Sequence, residues 1–158
     1  MAIDVFEFYH GTALTKLLNF GERLVIKTFP SDSNATFSIG LPGKKDEKEQ
    51  VAIYIKYSKK RMTPWVFTFK KKHQEELNVI NELHKKTFLV LVCGHDGVIC
   101  IEYKKLKTIL DENYGIAEWV KVHRYRREHY QFSGSDGKLS HKISRKVFPL
   151  EIIKELKK

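Results

Sequence analysis

Only two cysteines, Cys93 and Cys100, and four prolines occur in the 158-residue chain. Two cysteines cannot supply the disulfide framework of a small secreted domain. No window holds 18 consecutive apolar residues, so no membrane span and no membrane partner are expected. The opening MAIDVFEFYHGT has no basic segment followed by a long apolar run, so no secretory leader is expected. The chain is therefore expected to be cytoplasmic, with its thiols reduced. The seven histidines form no HExxH and no CxxC…HxxxH spacing, and neither a Walker-type phosphate loop nor a Gly-x-Ser-x-Gly elbow occurs. Zinc-protease, nucleotide-triphosphate and serine-hydrolase chemistry thus have no sequence support. There is no internal repeat and no low-complexity tract.

Acidic residues are scarce in two places. Residues 56–72 (KYSKKRMTPWVFTFKKK) hold seven Lys/Arg and no acid, and residues 119–147 hold eight against Glu128 and Asp136. The net charge is +10, so the rest of the chain is slightly acidic. Segregated cationic stretches raise the local concentration of polyanions, which points to DNA or RNA as the partner. The competing reading is a solvated basic surface, or one that meets an acidic protein partner.

Hydrophobic patterning predicts an α+β domain over 1–158, with mixed α/β as the variant. One mixed, mostly antiparallel sheet with three or four helices is expected. Residues 4–20 read either as one helix or as a strand to His10 followed by a helix, because Gly11 costs a helix about 1 kcal/mol relative to alanine. Strands are expected over 22–29, 35–39, 51–57 and 65–69, with a turn at Pro30–Asn34. Residues 40–50 (GLPGKKDEKEQ) read as a mobile loop. Helical spacing marks 70–86. Residues 87–95 (TFLVLVCGH) are apolar on both alternating faces, as in a strand buried on both sides. Strands over 98–103, 118–127 and 129–143 follow, and Pro149 fits the first turn of a last helix.

Asp-Gly occurs twice between strands, at Asp96-Gly97 and Asp136-Gly137, and favours a two-residue type I′ turn. The first turn predicts Cys93 opposite Cys100 and Leu91 opposite Glu102. The second predicts Gln131 opposite Lys142. Two buried free thiols are the expected state of the cysteines, since a zinc site would find only His95 nearby.

Gly97-Val-Ile-Cys-Ile-Glu102-Tyr-Lys104 resembles the strand of PD-(D/E)xK nucleases, the restriction-endonuclease-like family. That resemblance implies Asp96 and Glu102 as Mg²⁺ ligands, Lys104 as the lysine that activates or orients water, and Glu75 or Glu76 as an auxiliary acid. The alternative reading places Glu102 at the N-terminus of a short helix begun near Lys104. Phe8-Tyr9-His10-Gly11-Thr12 resembles the first motif of diphtheria-toxin-type ADP-ribosyltransferases, which implies NAD binding by His10.

In VKVHRYRREHYQF, alternation sets Lys121, His123, Tyr125 and Arg127 on one face and Val120, Val122, Arg124 and Arg126 on the other. Interleaved cations and aromatics suit phosphate contact with base stacking. Lys138, Lys142, Arg145 and Lys146 extend this set, and Lys59, Lys60 and Arg61 supply the second stretch. The expectation is a nucleic-acid-binding protein with a basic β-ribbon, in its sharper form a Mg²⁺-dependent nuclease. The alternative is a non-enzymatic accessory or partner-binding protein of a mobile element or defence system.

Overall fold

A computed structural model describes residues 2–33, 35–110 and 117–158. Asn34, the last residue of the expected Pro30–Asn34 turn, lies outside the described residues. Four α-helices are described, α1 (Val5–Leu18), α2 (Lys71–Leu83), α3 (Tyr103–Leu106) and α4 (Val147–Lys157), with one 3₁₀ turn at Glu47–Glu49. Nine strands are described: β1 (Val25–Thr28), β2 (Thr36–Gly40), β3 (Val51–Ser58), β4 (Trp65–Phe69), β5 (Lys86–Cys93), β6 (Gly97–Glu102), β7 (Glu118–His123), β8 (Gln131–Gly134) and β9 (Gly137–Lys138).

The α+β expectation holds, but the strands divide between two sheets. One is mixed, in the order β1-β2-β3-β5-β6, with β3 and β5 parallel. The other is antiparallel, in the order β4-β7-β8-β9. β5 is buried along almost its whole length and β3 from Val51 to Ile55, which explains their apolar runs. Alternate residues feed two cores. Ile53, Val90 and Cys100 face α1 and α4, which contribute Leu17, Ile152 and Ile153. Tyr54, Leu91 and Ile99 face α2 and the inner side of the second sheet, which contribute Leu77, Phe67, Val120 and Phe132. The layers are therefore helices, mixed sheet, then α2 with the second sheet.

Residues 4–20 settle as one helix. Glu7 accepts a hydrogen bond from the Asp4 amide at 3.0 Å and closes its first turn. Tyr9-His10-Gly11-Thr12 therefore lies within α1 rather than at a strand end, and His10 is buried against Phe6, Phe37 and Tyr57.

Both hairpin registers differ from expectation. Val92 faces Val98 and Val90 faces Cys100, so residues 94–96 form a three-residue loop. Gly94 adopts φ 53, and a Cβ there would lie 2.2 Å from the Lys60 carbonyl oxygen. That close approach needs glycine, and it overrides the Asp-Gly preference. Cys93 and Cys100 consequently point to opposite faces of the sheet, one into each core. In the second hairpin Ser133 faces Lys138 and Gly134 faces Gly137, so Ser135-Asp136 is the turn. The strand expected over 118–127 ends at His123. Beyond β9 only a bridge between Tyr130 and Ile143 continues the strand expected over 129–143.

Candidate functional site

The pairing of β4 with β7 joins the two basic stretches. Val66 faces Lys121, Lys121 faces Ser133 and Ser133 faces Lys138, which makes one row across the second sheet. Directly paired residues of antiparallel strands share a face. The inner residues Val120 and Val122 are fully buried, so Trp119, Lys121 and His123 look outward. Lys121 Nζ lies 5.5 Å from the Trp119 ring centroid, and the His123 and Tyr125 rings are 4.4 Å apart.

Lys59, Lys60 and Arg61 flank this face. Trp65 Nε1 donates to the Lys60 carbonyl at 2.8 Å, and the Arg124 amide donates to Thr63 Oγ1 at 2.9 Å. These bonds hold the 59–64 loop beside the end of β7. Tyr125, Arg126 and Arg127 are exposed on the turn that follows, where Arg127 adopts φ 65.

The remaining expected cations have other roles. Arg124 turns inward and grips Asp96 with two bonds, Nε to Oδ2 at 2.8 Å and Nη2 to Oδ1 at 2.6 Å. Arg145 Nη2 lies 3.1 Å from Asp96 Oδ2, and the Tyr130 hydroxyl donates to the same oxygen. Burial pushes the Asp96 carboxyl up, but hydrogen bonds from Arg124, Tyr130 and Arg145 outweigh it and hold the group down at about 2. Burial and the Asp96 carboxylate push the Tyr130 phenol up to about 12. Lys142 pairs with Glu128 at 2.9 Å, and Lys146 immediately precedes α4.

The residues expected for metal chemistry are not brought together. Asp96 closes the hairpin loop through its amide to the Cys93 carbonyl, while Glu102 ends β6 at the far end of that strand. Glu102 lies 3.7 Å from Lys86, which also meets Glu155 at 3.1 Å. Lys104 is exposed in the short helix α3, as the helix-start alternative for Glu102 requires. Among the described residues no cluster of three His, Cys, Asp or Glu side chains could hold a metal ion.

A second site was not legible in the sequence. β2 stops at Thr36 opposite Tyr54, whereas β3 continues to Ser58. The gap beside the end of β3 is a cleft of about 500 Å³ between α1, β4 and the start of α2. Lys56 lines it, with its Nζ donating to the Thr68 carbonyl at 2.7 Å and lying 4.8 Å from the Phe69 ring centroid. Burial pulls the Lys56 ammonium down from 10.5 to about 8, with Glu76 opposing the fall and Lys70 adding to it. Behind the wall, Glu76 Oε2 accepts from the Tyr54 hydroxyl at 3.1 Å and the Ser33 hydroxyl at 3.0 Å. Glu76 Oε1 is buried with no hydrogen-bond partner among the described residues. Burial, and then the Glu76 carboxylate, push the Tyr54 phenol up, so it stays protonated. His73 Nδ1 accepts from the Lys70 amide at 3.1 Å, and burial with Lys56 nearby lowers the imidazole's affinity for a second proton. Glu75, the other helix acid singled out from sequence, is exposed and lies 3.9 Å from Lys71.

Comparison with family models, curated proteins and solved structures gave no match to this chain.

Proposed function

We propose that the protein binds single-stranded nucleic acid across the outer face of the second sheet. The observation that carries this reading is the pairing that sets Lys121 and Lys138 on one outward face beside Trp119, with Lys59, Lys60 and Arg61 on the adjoining loop. These cations suit phosphates, while Trp119 and Tyr125 offer rings on which bases stack without sequence preference. Among the described residues Lys59, Lys60, Arg61, Lys121, Arg126, Arg127 and Lys138 form no ion pair, so their charge is directed to solvent. Arg124 and Arg145 are spent on Asp96 and drop out of the footprint.

Fluorescence anisotropy with a labelled single-stranded oligonucleotide tests this. Neutralising about four phosphates gives a loss of roughly 50-fold in affinity between 50 and 200 mM salt. The double charge reversal Lys121→Glu with Lys138→Glu should abolish binding at the lower salt. Salt-independent binding, or full affinity in the double variant, would refute the proposal. Adding Mg²⁺ and following product length tests the nuclease form, which rests on Glu102 and Lys104 alone. Cleavage that survives Glu102→Ala would reject that assignment.

A protein partner is the second reading, and α1 favours it. Val5 and Phe8 on this helix, and Ile3 before it, are exposed apolar side chains, with Phe8 at 63%. Partner capture that is lost in Phe8→Ser, with nucleic-acid affinity unchanged, would select it.

A further inference from the structure

We propose that the cleft beside the end of β3 binds a single nucleotide unit. Lys56, Lys70 and His73 would hold its phosphate, and the aromatic wall of Phe6 and Tyr57 would meet its base. The identity of this ligand rests on the nucleic-acid reading above, whereas the geometry of the cleft does not.

The lining fits that chemistry. About 500 Å³ lies within the range of small-ligand pockets. Among the described residues no carboxylate lines the cleft, while Lys56 and Lys70 do, with Ser33 and Tyr54. Glu76 stands behind the wall and holds both hydroxyls through one oxygen. Both hydroxyl protons therefore go to Glu76, which lies outside the lining, and the N–H groups of Lys56, Lys70 and His73 are the donors left for an anion. Because His73 Nδ1 accepts from the Lys70 amide, the neutral ring carries its proton on Nε2, the form that donates to a phosphate oxygen. Lys56 sits in a half-buried position that disfavours its charge, and a bound phosphate supplies the counter-charge.

Location supplies the second argument. β4 is shared between the cleft and the basic face. Val66 lines the cleft and pairs with Lys121, and Thr68, whose carbonyl receives Lys56, pairs with Trp119. The mouth of the cleft thus borders the proposed path of the strand, and one unit of that strand can enter without leaving the face.

Bound phosphate favours the Lys56 ammonium, so affinity should fall as pH rises past about 8. The groups facing Lys56 are Glu76, Lys70 and His73, and replacing Lys56 removes its part of the slope.

Isothermal titration with AMP, CMP and inorganic phosphate, beside anisotropy with the oligonucleotide, tests the proposal. AMP should bind at a one-to-one ratio, and more tightly than inorganic phosphate. Lys56→Met and Lys70→Ala should each weaken it about tenfold or more. The exposed position of Lys70 keeps the test valid if Lys56→Met folds poorly. No AMP binding at millimolar concentration, or equal binding by wild type and both variants, would overturn the site. Inorganic phosphate binding as tightly as AMP would overturn the nucleotide assignment. AMP binding without oligonucleotide binding would sink the sheet-face reading and leave the cleft standing.

Discussion

Replacing Lys56 by methionine should make the protein more stable at neutral pH. Burial pulls this ammonium from an ordinary 10.5 down to about 8. At pH 7 the folded chain therefore carries a charge it disfavours, at an upper cost of roughly 3 kcal/mol. Water reaching the partly exposed amine reduces that figure to about 2 kcal/mol. Methionine keeps the apolar stem and removes the charge, but forfeits the bond to the Thr68 carbonyl and the contact with the Phe69 ring, together about 1 kcal/mol. A net gain of about 1 kcal/mol follows, or roughly 2–4 °C in Tm for a chain of this size. The pH dependence gives the sharper test. Between about 8 and 10.5 the unfolded chain keeps the Lys56 proton and the folded chain has lost it, so wild-type stability gains with pH from this group. The advantage of Lys56→Met should shrink over that window and reverse above it. Urea denaturation at pH 7, 9 and 10.5 measures both quantities. If the variant is less stable at pH 7, by an amount that does not change to pH 10.5, then Lys56 is an ordinary surface lysine and the cleft loses its reason to want an anion.

Asp96→Asn should cost about 1–3 kcal/mol, because the Arg124 bidentate pair and the Arg145 contact both depend on the carboxylate charge. Asp96 is held at about 2, below its unfolded value, so its contribution is complete above about pH 4 and is lost as pH falls through 2. Wild type and variant should converge in acid denaturation curves, and a constant gap down to pH 2 would reject the assignment. Cys93 and Cys100 are buried, and burial pushes both thiols up. A thiol reagent should label neither in the folded protein and both on unfolding, and an oxidant should form no bridge between them. Rapid labelling of the native protein would contradict their burial.

The parts visible in the sequence are those fixed by local pattern. β4 is legible at its observed bounds, because Trp65–Phe69 is built of β-branched and aromatic residues. β5 was recognised by its two apolar faces, and α2 by its spacing of Leu77 and Ile80. The misplaced features depend on distant contacts. Asp96-Gly97 promised a two-residue turn, yet Gly94 against Lys60 decides the register from 34 residues away. The second sheet exists because β4 finds β7 across the intervening helix and hairpin, which no local periodicity reports. Alternation puts Lys121 and His123 on one face and strand pairing adds Lys138 to it, whereas Arg124 and Arg145 belong to Asp96, a partner hidden in another hairpin. Lys56 read as the first cation of a basic run. Its half-burial arises where Thr68 and Phe69 of β4 pack over it, and nothing in VAIYIKYS announces that. Glu76 is one of the two helix acids that the nuclease resemblance points to, yet its partners Tyr54 and Ser33 lie 22 and 43 residues away and no local pattern announces them.

The seam between β4 and β7 makes the cationic face conditional on a closed chain. Trp65–Phe69 and Glu118–His123 contribute adjacent rails, but the first carries no charge and the second sets Glu118 against Lys121. A peptide copied from either would carry no net positive charge. A fragment ending before residue 118 would keep five strands of the mixed sheet and lose the platform altogether. The placing of Lys121 and Lys138 beside the 59–64 loop thus exists only in a chain whose seam is closed.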